Sequence, residues 1–280
     1  MTNSNGKLFE NSQSAIDLDN RGLNYGDALF ETMRVINGRI VFWSDHHARL
    51  VRSMKLLRME IPKCFSKDNL QAEILETLGD NTTSPHRVKL LVWRKAGGKY
   101  GPKNNEVEFA ISYELLSNSN YVLNTGNYKI ELYTEFRMYS GALSTLKTNN
   151  KIINVVGSIY AQENNLENCL LLNEKGNIVE ALNGNVFLVY GNRIKTPAIS
   201  EGCLQGVLRK QLLDLLDAHS DFSIEEVATK PDLVSGADEV LITNVISGIS
   251  AVSKYGETHY KNETAKGLLE LLNARVTQIN

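Results

Sequence analysis

Apolar and polar residues change their spacing several times along this chain, and each change marks an element. Residues 28–43 (ALFETMRVINGRIVFW) hold two β-like runs around Asn37-Gly38, a dipeptide that favours a tight hairpin turn. Ser44 then offers an N-cap, and Leu50, Met54 and Leu57 recur at i, i+4 and i+7, which predicts an amphipathic helix over 45–58. A second helix is expected over 67–79. Two further runs, 86–94 (HRVKLLVWR) and 106–114 (EVEFAISYE), predict strands joined by the glycine-rich loop 95–105.

Residues 116–127 are rich in Ser and Asn, lack a core-forming pattern and read as a linker. Beyond them the pattern predicts a strand near 128–135, a helix over about 149–164, and strands near 168–173 and 177–190 with a turn between them in NEKGN. A helix opens at Gly206 and runs to about 217, strands follow near 238–243 and 249–254, and a terminal helix covers 264–277. No repeat of fixed period interrupts this order. The expected fold class is α+β in two domains, 1–115 and 128–280, with a ligand site at the cleft between them.

Composition adds exclusions. The 280 residues carry a formal net charge of -2 with both signs interspersed, so no electrostatic footprint for nucleic acid or an anionic membrane stands out. A small-molecule partner is the better expectation. Three cysteines, Cys64, Cys169 and Cys203, are odd in number and lack zinc-ligand spacing, so free thiols and no metal are expected. The polar N-terminus has no secretion-signal core and no stretch is apolar enough to span a membrane, which points to the cytoplasm.

Four features carry possible chemistry. Arg21-Gly-Leu-Asn-Tyr25-Gly-Asp27 is a glycine-punctuated loop before a strand, which by itself is a tight turn. Arg49 lies one position before the apolar stripe residue Leu50; such arginines usually snorkel to the surface, but the planar fork also suits a phosphate. Lys147 stands in Leu146-Lys147-Thr148-Asn149-Asn150, just before a helix. Gly206-Val207-Leu208-Arg209 opens another helix, whose first backbone N–H groups are able to hold an anion.

Together these segments resemble the class IV aminotransferases, which include branched-chain and D-amino acid aminotransferases and 4-amino-4-deoxychorismate lyase. The resemblance runs from about residue 20 to 255 and is carried by Arg21–Thr32, His47-Ala-Arg49-Leu50, Leu146–Asn150, Ile178-Val-Glu180, Asn185-Val-Phe187, Gly206–Arg209 and Ala237–Val240. It implies fold type IV of the pyridoxal-phosphate (PLP) enzymes, with a D-amino acid aminotransferase-like pair of domains, a barrel-like C-terminal one, and the cofactor in the interdomain cleft. By the same resemblance Lys147 is the Schiff-base lysine and moves the substrate proton. Glu180 faces the pyridine nitrogen. Arg49 and the N–H groups of Val207 and Leu208 hold the phosphate, with Asn185 and Asn244 nearby. A homodimer is implied, with loop 95–102 of one subunit reaching toward the other's site.

Departures from the family pattern narrow the choice. Branched-chain enzymes generally carry Tyr where this chain has Ile152, and Phe-Glu-Gly where it has Phe30-Glu31-Thr32. The Arg-x-His pair of the D-amino acid enzymes corresponds to Lys99 and Gly101. Hydroxyl contacts to phosphate are lost at Leu208 and Val245, and an apolar cup with Thr243-Asn244 looks more like the lyases. If Val88 and Leu90 face a core, Lys89 projects to the opposite face of its strand. Lys89, Lys99 and Tyr25 are then substrate-binding candidates, the two lysines suiting a dicarboxylate; ordinary exposed residues are the alternative. The specific expectation is 4-amino-4-deoxychorismate lyase, forming 4-aminobenzoate and pyruvate, against transamination of an L- or D-amino acid with a keto acid.

Overall fold

A computed structural model of the chain describes residues 1–9, 17–219 and 221–279. It divides into two units, one of Met1–Ser119, Lys147–Asn150 and Ile279–Asn280, the other of Asn120–Leu146 and Lys151–Gln278.

The first unit contains β1 (Thr2–Ser4), β2 (Lys7–Phe9), α1 (Arg21–Tyr25), β3 (Ala28–Ile36), β4 (Arg39–Ile40), α2 (Trp43–Leu56), α3 (Lys67–Leu78), β5 (His86–Arg94) and β6 (Val107–Leu115). Its strands form one six-stranded sheet in the order β2-β1-β6-β5-β3-β4, antiparallel at every pair. Strand alternation decides the faces: Val88, Leu90 and Val92 are wholly buried, while Arg87, Lys89 and Leu91 between them keep partial exposure. The β3–β4 hairpin turns on Asn37 and Gly38 at φ of 50° and 72°, the pair of positive values a two-residue turn requires.

Two local features differ from the sequence reading. Helix α2 starts at Trp43, with Phe42 at φ 56° as its N-cap and no side-chain capping bond. Ser44 therefore lies inside the first turn rather than at the cap, because β4 ends after two residues and the chain turns early. The Arg21–Tyr25 loop is a short helix instead: the Asn20 side chain accepts from the Leu23 N–H and Gly26 closes the end at φ 63°.

The second unit contains β7 (Lys129–Met138), α4 (Ile152–Glu163), β8 (Asn168–Asn173), β9 (Ile178–Ala181), β10 (Asn185–Tyr190), β11 (Arg193–Pro197), α5 (Val207–Asp217), β12 (Ser223–Val227), α6 (Asp232–Ser235), β13 (Glu239–Asn244), β14 (Gly248–Ala251), β15 (Lys254–Tyr255), β16 (Thr258–His259) and α7 (Glu263–Ile279). Two five-stranded sheets result, ordered β12-β11-β10-β13-β14 and β16-β15-β7-β8-β9. Ile130, Leu170, Ile178, Val186, Leu188, Val240 and Ile242 from both sheets meet in one buried cluster, each side chain contributing about 1.5–3 kcal/mol of apolar transfer.

The single strand expected over 177–190 is two strands, β9 and β10, because the chain turns at Ala181–Gly184. Only glycine fits that turn: a Cβ on Gly184 would lie 2.6 Å from the Thr243 carbonyl oxygen. The helix expected from residue 149 begins at Ile152, since the Asn149 N–H is already bonded to the Ala28 carbonyl. Within the linker segment, Tyr121 packs its ring on Gly248 and donates its hydroxyl to the Val245 carbonyl. No helix among the described residues is long and apolar enough to cross a membrane.

Candidate active site

Lys147 is placed by main-chain hydrogen bonds. Residues 147–149 run antiparallel beside the start of β3, bridging Leu29 to Thr148. The Phe30 N–H donates to the Lys147 carbonyl at 2.9 Å and the Asn149 N–H to the Ala28 carbonyl at 3.0 Å. The half-buried lysine lays its Nζ 4.4 Å from the centre of the Phe30 ring. Lys89 approaches the same ring, with its Nζ at 5.3 Å. Register explains the meeting: Lys89 of β5 stands opposite Thr32 of β3, and Leu91 opposite Phe30, so Phe30, Thr32 and Lys89 share one sheet face. Attraction of an ammonium to the ring's electron-rich face favours both placements.

On the opposite face Glu31 points to α2. Its carboxylate accepts from Arg49 Nε at 2.8 Å and Arg49 Nη2 at 2.5 Å, and sits 2.7 Å from His46 Nδ1. All three side chains are buried. Burial pushes the Glu31 carboxyl up, but the charge and hydrogen bonds of Arg49, aided by His46, outweigh it and hold the group at about 2. Burial lowers the His46 imidazole, and the charges of Arg49 and Lys147 oppose the raising effect of Glu31, so His46 is neutral near pH 7. His46 Nε2 is buried with no hydrogen-bond partner among the described residues. Arg49 is thus buried and paired rather than snorkelling. His47 has a structural contact, its Nε2 2.9 Å from the Phe65 carbonyl, with its ring beside Trp43.

The second unit gathers Glu180, Asn185 and the start of α5 around one residue, Leu204. Buried Glu180 accepts the Leu204 N–H at 2.8 Å through Oε2, and buried Asn185 donates to the Leu204 carbonyl at 2.9 Å. Together they fix the approach to α5, whose N-cap Gly206 supplies no side-chain bond to the first turn. A larger residue does not fit there: a Cβ on Gly206 would lie 2.1 Å from Asn185 Oδ1. The Val207 and Leu208 side chains are buried, so what this turn can offer an anion is main-chain N–H groups. Asn244 ends β13 beside Asn185, whose Cα partner is Thr243. Its Oδ1 accepts from the N–H groups of Ile246 and Ser247 at 3.0 and 2.8 Å, tying the next turn.

Tyr25 is 41% exposed in α1 and its ring centre lies 5.7 Å from that of Tyr100; Lys99 is exposed on the loop after β5. Sequence reasoning gave Phe30 and Glu31 no site role beyond their place in a family motif, and left the roles of His46 and His47 open. Phe30 and Glu31 lie within the 21–32 motif, and strand alternation would have set them on opposite faces. His46 needed the helical spacing to Arg49, three residues on.

Within the first unit stand an amine able to condense with an aldehyde, Lys147, and a buried arginine, Arg49; within the second stand a buried carboxylate, Glu180, and the main-chain N–H groups that open α5, all of them kinds of group that PLP binds. The amino-transferase class IV family model matches residues 28–255. A D-alanine aminotransferase of Bacillus licheniformis is 27% identical over 261 residues, covering 89% of this chain and 86% of that protein. An aminodeoxychorismate lyase of Vibrio harveyi is 25% identical over 245 residues, covering 86% and 88%. Among solved structures, the branched-chain aminotransferase of Thermoproteus uzoniensis superposes with a TM-score of 0.89 at 18% identity, covering 98% of this chain and 94% of that one. The PLP form of the Thermobaculum terrenum branched-chain enzyme gives 0.86 at 19%, covering 100% and 94%. With the family model spanning most of its length, the chain belongs to the class IV aminotransferases, enzymes of PLP fold type IV that work with pyridoxal 5'-phosphate.

Proposed function

We propose that the chain converts 4-amino-4-deoxychorismate into 4-aminobenzoate and pyruvate, with Lys147 as the cofactor-binding lysine. The observation that carries this reading is the pair of amines, Lys147 and Lys89, over one Phe30 ring. One amine serves the cofactor and the proton; the other supplies a fixed positive charge for a substrate carboxylate beside it. Lys99 supplies a second, suited to a substrate with two carboxylates. The identity of 25% to the Vibrio harveyi lyase is in keeping with this.

When bound, PLP draws electron density from the amine-bearing carbon. Lys147 then takes the proton from that carbon. The substrate's enolpyruvyl C–O bond breaks, the ring becomes aromatic, and the departing enol gains a proton to give pyruvate. Glu180 would keep the cofactor's ring nitrogen protonated, and Arg49 with the N–H groups of Val207 and Leu208 would hold the phosphate, Asn185 and Asn244 shaping the turns of their own unit. The enzyme acts in the cytoplasm, as a homodimer, in the formation of the aromatic amine used for folate; its three cysteines are free thiols.

A second reading is transamination of an L- or D-amino acid with a keto acid, favoured by the 27% identity to a D-alanine aminotransferase. Lys147 would return the proton to the cofactor instead, so Lys147 and Glu180 are common to both. The deciding assay gives PLP-loaded enzyme 4-amino-4-deoxychorismate with no keto acid. Many turnovers to 4-aminobenzoate and pyruvate are expected. No product, from enzyme that converts D-alanine or L-leucine once 2-oxoglutarate is added, establishes the transaminase.

A further inference from the structure

Arg21 is an unusual residue to bury on a short helix: it is 3% exposed, and its Nε and Nη1 both have partners. Nε donates to Asp27 Oδ2 at 2.9 Å, and Nη1 donates to the carbonyls of Lys99 at 2.6 Å and Gly97 at 3.3 Å. Those carbonyls flank Gly98, in a turn that only glycine fits. Gly98 has φ 78° and a Cβ there would lie 2.2 Å from the Gly101 carbonyl oxygen. Gly98 and Pro102 bridge across the turn. Arg21 therefore clamps the base of a compact turn from which Lys99 and Tyr100 project, both exposed.

Two more contacts make this a positioning device. The Arg21 guanidinium lies 4.9 Å from the centre of the Tyr25 ring, and that ring in turn meets Tyr100 in a tilted contact at 5.7 Å. Asp27, which aligns Arg21, is shared with Arg94, whose Nε also bonds Oδ2 at 2.9 Å. Arg94 is the fold's own anchor: it donates as well to Asn105 and to the carbonyls of Leu57 and Arg58. The labour is thus divided, with Arg94 holding the end of β5 to the chain just after α2, and Arg21 joining Asp27 and Tyr25 to the turn.

We infer that Arg21 is a positioning residue for substrate, setting where Lys99 and Tyr100 stand without touching substrate or cofactor itself. The inference rests on the proposed function, in which Lys99 meets a substrate carboxylate. Loosening the clamp costs carboxylate binding and leaves the proton chemistry of Lys147 alone.

The test compares PLP-loaded wild type with Arg21→Gln, Lys99→Ala and the double variant. The substrate is 4-amino-4-deoxychorismate, or D-alanine with 2-oxoglutarate if the enzyme transaminates. Arg21→Gln is expected to raise KM about tenfold, the effect of losing one good polar contact, with kcat within about twofold and PLP content unchanged. The double variant is expected to be no worse than Lys99→Ala, because the clamp acts through that lysine. Effects that multiply, or a fall in kcat at constant KM, overturn the inference. Limited trypsin digestion reads the turn without turnover: cleavage after Lys99 is expected at least about tenfold faster in Arg21→Gln, with other sites unchanged. Equal cleavage overturns the inference. Arg21→Lys, which keeps the charge, replaces Arg21→Gln in both measurements if the latter fails to fold. Wild-type protein that binds no PLP would sink the proposed function, while the trypsin contrast still decides the role of Arg21.

Discussion

Arg49 has two tasks in this account, and substitutions can separate them. Arg49→Met removes the main partner of Glu31, a carboxylate 2% exposed that Arg49 grips through two nitrogens. Breaking a buried ion pair from one side costs about 3–5 kcal/mol. The low value of the Glu31 carboxyl, about 2, has the same main cause, since Arg49's charge and hydrogen bonds outweigh the effect of burial. In a chain of this size each kcal/mol moves the midpoint by about 2–4 °C, so apo-protein melting should fall by roughly 10 °C. Glu31→Leu combined with Arg49→Met removes both charges and should recover most of that loss. It should not recover the cofactor. A charge-assisted bond to phosphate is worth about 1.5–3 kcal/mol, so the PLP dissociation constant of the double variant should stay at least about tenfold above wild type. The assay is a PLP titration followed by absorbance, beside thermal unfolding of the apo-protein. A double variant that melts like wild type and also binds PLP like wild type would refute the phosphate role. A single variant as stable as wild type would refute the ion-pair argument.

Three other outcomes are expected. His46 and Glu31 are both held below their unfolded values, so each stabilises the fold at higher pH and loses that contribution as pH falls, His46 below about 6.5 and Glu31 from 4.5 toward about 2. Wild type should melt lower at pH 5 than at pH 7, and an unchanged drop in His46→Asn would remove His46 as a contributor. Glu180→Gln keeps an oxygen for the Leu204 N–H, so PLP binding should persist while turnover falls more than about tenfold, or 1.4 kcal/mol in the barrier; near-normal turnover would take Glu180 out of the reaction. Gly206→Ala drives a methyl into Asn185 Oδ1 and breaks the Asn185–Leu204 bond, which should lower stability by about 1–2 kcal/mol and weaken PLP binding; a variant with wild-type melting and affinity would show that this approach to α5 tolerates bulk.

Periodic segments were legible in the sequence because a local pattern decides them. Asn37-Gly38 gave the hairpin, and the alternation of Val88 and Leu90 with Lys89 gave that strand's two faces. Elements fixed by distant partners were not legible. The strands Arg193–Pro197 and Ser223–Val227 pair in parallel across intervening α5 and carry little apolar pattern of their own. The break at Gly184 answers to the Thr243 carbonyl, far along the chain. Sequence motifs singled out Lys147, Glu180 and Arg49 as candidates, whereas the Glu31 pairing of Arg49 and the meeting of Lys147 with Lys89 arise from register and helix facing. Arg21 looked like part of a tight turn because burial of an arginine cannot be read from its neighbours.

The central claim is that Lys147 carries the cofactor, and Lys89 makes the test a demanding one, since both amines lie over the same ring. PLP-loaded enzyme is reduced with borohydride, digested and examined by mass spectrometry for the lysine that retains the phosphopyridoxyl group. Lys147 alone should be modified, and Lys147→Ala should leave no such peptide. Modification at Lys89, or at any other lysine in place of Lys147, would contradict the claim.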